Sequence, residues 1–162
     1  MQAFRELNWA YRDYLRDDPD TRALAEVFYP DDILAAALAD EAAYRPPLGR
    51  MRLVMHSGRA VGCGSVHTLA TGDAEIKRVF LTEQARGSGL GWGLMNQLLK
   101  DARDLGHARV VMDTGIQLKA AQRFYDRMGF RRRGPYQEVP DSMRGQLVFF
   151  EMDLAPSTAK KP

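Results

Sequence analysis

One stretch decides the fold of this chain: Val79-Phe80-Leu81-Thr82-Glu83-Gln84-Ala85-Arg86-Gly87-Ser88-Gly89-Leu90-Gly91-Trp92-Gly93. A run of β-forming residues leads into four alternating glycines, after which apolar residues recur with helical spacing. Because glycine has no Cβ, backbone N–H groups can close around an anion, and the following helix adds the positive end of its dipole. The stretch therefore predicts a strand, a loop that binds a phosphate or pyrophosphate, and an amphipathic helix.

Two common glycine loops fit this stretch poorly. The P-loop needs a lysine and a hydroxyl after its glycines, whereas no Lys, Ser or Thr follows here before Lys100. The dinucleotide fingerprint Gly-x-Gly-x-x-Gly is out of register, since its third glycine falls on Trp92 or Leu94. Asp113 lies at about the distance expected of a ribose-binding acid, so a nicotinamide-binding protein stays open as an alternative.

A third loop fits the spacing. Arg86, Gly89 and Gly91 form Arg-x-x-Gly-x-Gly, which resembles the coenzyme A loop of the GNAT superfamily of acyl-CoA N-acyltransferases. Ala74–Leu81 resembles the central strand that leads into that loop, and Val110–Gly115 resembles the next parallel strand.

A later motif strengthens this resemblance. The segment Ala120–Phe130 resembles the family's Ala-x-x-x-Tyr-x-x-x-Gly-Phe signature, with Tyr125 at the tyrosine position. The resemblance covers about Arg50 to Leu154, and its motifs follow one another in the family's order and spacing. The sequence is therefore identified as a member of this superfamily.

Periodicity and turn residues predict the elements around these motifs. Helices are expected over about Met1–Asp17, Asp31–Tyr44, Leu90–Leu105 and Leu118–Met128, and strands over Arg50–His56, Ala60–Leu69, Ala74–Leu81, Val110–Gly115 and Gln146–Leu154. The resemblance implies an α/β fold with a central mixed, mostly antiparallel sheet, whose fourth and fifth strands are parallel, flanked by about four helices. Residues 1–154 are expected to form a single N-acetyltransferase domain, and residues 155–162 a disordered tail.

One departure concerns the first strand. The family normally opens with a short edge strand before its first helix, whereas this chain begins inside a helical pattern. The N-terminal edge of the sheet is therefore in question, but the cofactor site is not.

The resemblance also implies the cofactor site. The backbone of Val79, Phe80 and Leu81 would pair with the pantetheine arm of acetyl-CoA, and one of these amides would polarise the thioester carbonyl. The pyrophosphate would be held by Arg86, Gly87, Ser88, Gly89, Leu90 and Gly91. Many relatives carry an asparagine seven residues before the signature tyrosine. Here that position is Leu118, and its neighbour Gln117 is expected to contact the cofactor arm instead.

The catalytic residues implied by the resemblance are Tyr125 and Glu75. The Tyr125 phenol is close enough to a thiol in acidity to protonate the leaving thiolate. The competing interpretation is a half-buried aromatic residue on a helix. Glu75 is the candidate base that deprotonates the amine. Its alternatives are a surface partner for Lys77 on the same strand face, and His67 as the base.

Composition sets limits on the other function classes. With 162 residues, 45% of them hydrophobic, and a net charge of +2, the chain resembles an ordinary globular protein and does not favour nucleic acid or an anionic membrane as its partner. Cys63 is the only cysteine, and the three histidines are scattered, so no metal-ligand spacing is present. No apolar run approaches 18 residues, and a cytoplasmic protein is expected.

The resemblance implies an N-acetyltransferase that moves an acetyl group from acetyl-CoA to a primary amine by direct attack in a ternary complex. The acceptor is expected to be a small-molecule or peptide amine, with recognition residues among Tyr14, Tyr44, Tyr136, Glu138 and Arg144. The alternative is a non-catalytic acyl-CoA-binding regulatory module. A homodimer is expected, because an exposed sheet edge is often covered by a partner.

Overall fold

The computed structural model describes residues 1–154, so the expected tail, 155–162, lies outside the described residues. The helices are α1 (Gln2–Asp17), α2 (Arg22–Phe28), α3 (Asp31–Ala39), α4 (Leu90–Asp104) and α5 (Lys119–Met128). The strands are β1 (Gly49–His56), β2 (Arg59–Thr68), β3 (Ala74–Leu81), β4 (Arg109–Gly115), β5 (Arg131–Arg133) and β6 (Leu147–Asp153).

The strands form one mixed sheet in the order β1-β2-β3-β4-β6-β5. Only β3 and β4 pair in parallel, and the other neighbours are antiparallel. The mixed, mostly antiparallel α/β architecture expected from the sequence is thus confirmed. The expected position of the parallel pair, the fourth and fifth strands, is wrong by one, because no strand precedes α1 in residues 1–154.

Helices cover both faces of the sheet. The apolar side of α4 buries Leu94, Met95, Leu98, Leu99 and Ala102 in a core shared with β2, β3, β4 and α5. Full burial of such side chains stabilises the fold by about 1.5–3 kcal/mol each. On the other face, α1 and α3 pack against the sheet with a second cluster formed by Phe4, Leu7, Leu34, Leu38, Tyr44, Cys63 and Phe80.

The predicted helix from Asp31 to Tyr44 is wrong in its second half. The α-helix ends at Ala39, and Glu41–Tyr44 forms a separate turn of 3₁₀ helix. Tertiary contacts account for the break. The Tyr44 ring packs edge-on against Phe4 at 5.0 Å, and its hydroxyl donates to the Ala37 carbonyl. A continuous helix would carry this ring away from the core. The helix α2, of seven residues, was not predicted.

A buried ion pair ties α4 to the edge strand β1. The Asp101 carboxylate is fully buried and accepts two hydrogen bonds of 2.6 Å from the Arg52 guanidinium and one of 3.1 Å from Arg50. Burial opposes ionisation of Asp101, but these hydrogen bonds outweigh it and hold its pKa below the usual value. The pair therefore fixes α4, and the loop that precedes it, against the sheet.

Across the portion of the chain that the structure describes, no helix is both long enough and apolar enough to cross a lipid bilayer.

Candidate active site

A cleft opens where the two parallel strands separate. β3 and β4 pair only at Ala74 with Val110 and at Glu75 with Val111, near their first residues, and they diverge beyond these positions. The far half of β3 pairs on one side only, with Cys63 and Gly62 of β2. Its other backbone edge therefore carries unpaired N–H and C=O groups that face the opening.

A β-bulge contributes to this divergence. Cys63 pairs with Phe80 and Ser65 pairs with Lys77, so β3 has one residue more than β2 between these pairs. The two β3 residues between these pairs are Arg78 and Val79, and the φ of 59° at Arg78 is left-handed and rare for a residue with a side chain. Bulges bend a strand and increase its twist. The bend accompanies the separation of β3 from β4, and the Arg78 side chain reaches Asn8 of α1.

The cleft has a volume of about 470 Å³ and runs from the glycine loop to α5. It contains most of the cofactor residues predicted from the sequence: Val79, Phe80, Leu81, Arg86, Gly87, Gly89 and Gly91 line it. Leu90 begins α4 directly behind the loop, and the Ser88 hydroxyl donates to the Ala85 carbonyl at 2.6 Å. Ser88 thus stabilises the loop through its side chain.

The loop conformation requires glycine at two positions. Gly87 has a φ of 73° and Gly89, the N-cap of α4, has a φ of 81°. A Cβ at either position would meet no atom within 4 Å, so backbone conformation and not space demands glycine there. The first N–H groups of α4 have no intrahelical acceptor and point towards the loop, as in an anion site.

Arg86 is held at the mouth of the cleft. Its Nε donates to the Leu81 carbonyl at 3.1 Å, and its guanidinium lies 4.3 Å from the centroid of the Tyr14 ring. Both contacts leave the exposed cation beside the loop. Tyr14, a predicted acceptor residue, therefore lies at the cofactor end of the cleft.

Tyr125 lies at the inner end of the same cleft. Its ring packs edge-on against Phe130 and Phe150, with centroids 6.1 and 5.5 Å apart, and the residue is 6% exposed. Burial, with a smaller contribution from Asp113, raises the pKa of its phenol well above the usual value. The phenol therefore stays protonated at neutral pH, which is the state that a proton donor needs.

Gln117 lies outside the cleft. Its Nε2 donates to Gln146 at 2.9 Å, and the cleft is lined at this point by Leu118. The structure therefore offers Leu118, and not the Gln117 side chain, as the contact for a molecule in the cleft.

A second cavity, of about 130 Å³, adjoins the cleft under α1 and α2. Its lining includes Lys77, Arg78, Asp113, Tyr29 and Tyr11. Three of its residues, Tyr11, Thr114 and Leu118, also line the cleft. A small extension of about 50 Å³ shares the charged residues and reaches Tyr125. A molecule in this cavity would thus approach Tyr125 from the side opposite the glycine loop.

Two carboxylates meet above this cavity. The Tyr136 hydroxyl lies 2.8 Å from Glu75 Oε1 and 2.9 Å from Asp113 Oδ2. Gln137 Nε2 also donates to Asp113, at 2.8 Å. Burial raises the pKa of the Asp113 carboxyl, while the hydrogen bond from Tyr136 and the charge of Lys77 lower it. Asp113 lines the cavity, whereas Glu75 reaches it through the Tyr136 hydroxyl.

Glu75 forms an ion pair with Lys77, with 3.2 Å between Oε1 and Nζ. This pairing was one of the two alternatives to the role of Glu75 as a base. The expectation that this pair lies on the surface is wrong for Glu75, which is 4% exposed because Tyr136 covers it. Asp113 was missed as a candidate base. Its place at the carboxyl end of a parallel strand was the available signal, since ligands bind at such ends.

Comparison with known proteins decides the family. The profile of the Acetyltransferase (GNAT) family matches residues 2–130, most of the chain. The chain belongs to this family. The GNAT classification made from the glycine loop and the tyrosine signature is confirmed.

Individual relatives agree with this assignment. The chain is 34% identical, over 99 residues, to an uncharacterised N-acetyltransferase of Schizosaccharomyces pombe, with 60% of this chain and 61% of that protein covered. An acetyltransferase of the GNAT family from Staphylococcus aureus superimposes with a TM-score of 0.76 at 15% identity, covering 96% of each chain. A GNAT family acetyltransferase from Elizabethkingia anophelis, solved with acetyl-CoA bound, gives a TM-score of 0.60 at 18% identity, covering 77% of this chain and 84% of that one. The chain spans about three fifths of the length of the curated relatives it matches.

Two further residues of this GNAT protein, His67 and Cys63, do not line either cavity. The His67 ring accepts or donates a hydrogen bond with Ser65 Oγ at 2.9 Å, and burial, with Arg78 and Lys77 nearby, lowers its pKa to about 4. Cys63 is fully buried, and burial raises the pKa of its thiol to about 12. Both act as structural residues.

Three predicted acceptor residues also lie elsewhere. Glu138 and Arg144 are exposed, with Arg144 paired to Asp141 at 2.6 Å, and Tyr44 is buried in the core under α3. Tyr136 alone among the predicted loop residues reaches the second cavity's carboxylates. Within residues 1–154, no group of three His, Cys, Asp or Glu side chains is placed to hold a metal ion.

Proposed function

We propose that this protein transfers an acetyl group from acetyl-CoA to a primary amine by direct attack in a ternary complex. One observation carries the proposal: the unpaired edge of β3 joins a glycine loop at one end of the cleft to Tyr125 at the other. The bound acetyl-CoA of the Elizabethkingia anophelis acetyltransferase, which has this fold, supports the choice of cofactor.

The lining of the cleft supports acetyl-CoA as its occupant. Backbone groups of Val79, Phe80 and Leu81 would pair with the amides of the pantetheine arm as an added strand does. The pyrophosphate would lie on the amides from Gly87 to Gly91, beside Arg86 and at the positive end of α4. The apolar faces of Leu118 and Phe124 would enclose the arm.

The chemistry needs two proton transfers. The amine nitrogen attacks the thioester carbon, a C–N bond forms, and the C–S bond breaks. A β3 amide would stabilise the negative charge on the carbonyl oxygen, and Tyr125 would give its proton to the departing sulfur. The proton that the amine nitrogen loses must pass to a base on the side of the second cavity. Holding both reactants in one site supplies much of the rate enhancement.

The base is assigned to the carboxylates above the second cavity. Asp113 lines the cavity and would take the proton from the amine, while Glu75 would exchange it through the Tyr136 hydroxyl that joins the two. Glu75 thus acts at one remove from the substrate. The pairing of Lys77 with Glu75 leaves Asp113 as the carboxylate that faces the incoming amine.

The first test is calorimetric titration with acetyl-CoA, with NADH as the control ligand. Micromolar binding of acetyl-CoA without NADH binding, followed by release of free thiol with at least one member of an amine panel, is the expected result. Absence of acetyl-CoA binding would overturn the proposal. Tight binding with no thiol release on any amine would favour the regulatory module instead.

A further inference from the structure

Arg78 carries a positive charge that the protein leaves without a counter-ion. The residue is half-buried, its Nε is fully buried and has no hydrogen-bond partner, and one Nη group makes only a long contact, 3.4 Å, with Asn8 Oδ1. Among the carboxylates of residues 1–154, none forms an ion pair with it.

A half-buried cation whose Nε lacks a partner offers a contact for an anion. Charges taken out of water are normally paired, and an unpaired one is strongly unfavourable. The neighbouring groups do not fill the role: the Tyr44 phenol contacts Arg78, but burial raises its pKa and it stays neutral. Burial raises the pKa of Tyr29 to about 12 and that of Tyr11 well above its usual value, so both phenols stay neutral. Lys77, the other cation of the cavity, is already paired with Glu75.

The cavity that Arg78 lines also contains the opposite charge. Asp113 lines both the cavity and its small extension, as Arg78 does. Five apolar side chains form one part of the remaining wall, and the rest is polar or aromatic; the apolar ones are Leu15, Leu24, Phe28, Leu118 and Leu147. The cavity thus offers one cation without a counter-ion, one carboxylate and an apolar patch within about 130 Å³.

We propose that the acceptor is a small amino acid with an apolar body, whose carboxylate binds the Arg78 guanidinium and whose amine lies at Asp113. This inference rests on the proposed acetyl transfer and names its substrate class. The planar fork of the guanidinium matches a carboxylate with two parallel hydrogen bonds. Binding the carboxylate there holds the amine on the Asp113 side, next to the extension that reaches Tyr125.

The charges of Arg78 and Asp113 also disfavour two classes of acceptor, polyamines and amines without a carboxylate. A polyamine would bring a second cation towards Arg78, and a neutral amine would leave the guanidinium unpaired. A site built to bind a polar group discriminates strongly against an analogue that lacks it, because the protein's own buried group is then left without a partner. The amide of an amino acid, equal in size, is therefore the informative competitor.

The experiment compares kcat/KM for matched acceptors with acetyl-CoA: leucine against leucinamide and 3-methylbutylamine, phenylalanine against phenylalaninamide, and 5-aminopentanoate against its amide. The acid is expected to exceed its amide by at least about 10-fold in one or more pairs. In Arg78→Gln this ratio is expected to fall to about one, and in Arg78→Lys to an intermediate value, since a lysine keeps the charge but not the fork.

Two controls keep the outcomes separate. Arg59→Gln, an exposed arginine of β2, should retain the wild-type ratio, and acetyl-CoA affinity and thermal midpoint should confirm that each Arg78 variant is folded. If Arg78→Gln does not fold, the inference is tested by the acid-to-amide ratio of kcat/KM in the wild-type protein and in Arg78→Lys. The inference is overturned if amides, simple amines or polyamines are acetylated as fast as the acids. It is also overturned if the ratio of acid to amide is unchanged in the Arg78 variants. In both cases the proposed acetyl transfer stands. Failure to bind acetyl-CoA overturns both.

Discussion

The Tyr136 hydroxyl lies 2.9 Å from Asp113 Oδ2 and donates to one side of a pair of carboxylates that it bridges. The contact lowers the pKa of Asp113 against the larger effect of burial, which raises it. Because Asp113 must be ionised to accept a proton, activity should rise with pH through this raised pKa. If Asp113 is the base, as proposed, the hydrogen bond from Tyr136 sets the pH at which activity falls on the acidic side.

The first prediction concerns the position of that acidic limb. Tyr136→Phe removes the hydrogen bond that lowers the pKa of Asp113, so the limb of kcat/KM should move to higher pH. Glu75→Gln removes a like charge, so the limb should move to lower pH. Asp113→Asn should remove this limb and lower kcat by about 10²-fold. The measurement is the pH profile of kcat/KM for the three variants.

Opposite shifts of Tyr136→Phe and Glu75→Gln are the signature of this arrangement. If both variants shift the limb in the same direction, or if Asp113→Asn keeps it, the base is a different group. Loss of activity through misfolding is separated from these outcomes by acetyl-CoA affinity, which should remain unchanged because none of the three residues lines the cofactor cleft.

The second prediction concerns Tyr125. Tyr125→Phe removes the proposed proton donor but keeps the ring that packs on Phe130 and Phe150. We expect kcat to fall by about 10²-fold while the Kd for acetyl-CoA stays nearly unchanged. Steady-state kinetics and calorimetry on the same preparation measure both. Unchanged turnover would assign proton donation elsewhere, and a large loss of affinity would make Tyr125 a binding residue.

The third prediction concerns the buried ion pair that holds α4. In Asp101→Asn, Arg50 and Arg52 lose their counter-ion, and the free energy of unfolding at pH 7 should fall by ~2 kcal/mol, below the value for a fully buried pair because both arginines are partly exposed. The folded-state pKa of Asp101 is depressed, so its contribution is complete above the ordinary aspartate value and is lost as pH falls through the folded value.

Denaturant titrations of wild type and Asp101→Asn at several pH values measure this difference, which should shrink in strong acid. The matched control is Asp104→Asn on the same helix. Asp104 is 31% exposed, lies 4.0 Å from Arg50 and pairs with Lys100 on the surface, so its loss should cost less than ~0.5 kcal/mol. Equal losses in the two variants would show that the Asp101 pair contributes no more than a surface pair.

The sequence predicted those parts of the cleft lining that depend on local backbone chemistry. The glycine loop and the helix behind it follow from residues within one short stretch, since Gly87 and Gly89 adopt the left-handed conformations that glycine permits. Tyr125, which lines the same cleft, was predicted from the resemblance of a single helix to the family's tyrosine signature. Neither inference required knowledge of distant contacts.

The second cavity could not be predicted in this way. Its charged residues come from β3 and β4, while its apolar wall includes residues of the unpredicted helix α2, which is too short for its periodicity to be read. The bulge that turns Arg78 under α1 leaves no mark in the alternation of β3. Glu75 and Asp113 are far apart in sequence and meet only through Tyr136, a residue of the loop before β6.

The fourth prediction concerns Gly89, the left-handed N-cap of α4. Gly89→Ala forces a residue with a Cβ into a φ of 81°, at a cost of about 1–2 kcal/mol, and should weaken acetyl-CoA binding only moderately. Gly89→Asp adds a carboxylate where the pyrophosphate would lie and should abolish binding, because the two anions repel one another. Calorimetry with acetyl-CoA measures both, and a gap between the variants that narrows in high salt would identify the charge as the cause.

Gly93 provides the matched control on the same helix. It lies in the helix interior with open space around its Cβ position, so Gly93→Ala should raise the free energy of unfolding by about 0.5–1 kcal/mol and leave the acetyl-CoA Kd unchanged. If the Gly89→Asp protein is folded, as judged by its thermal midpoint, and binds acetyl-CoA with the wild-type Kd, the pyrophosphate does not bind at the loop. Loss of binding in Gly93→Ala as well would place the cofactor along the helix and not at its N-terminus.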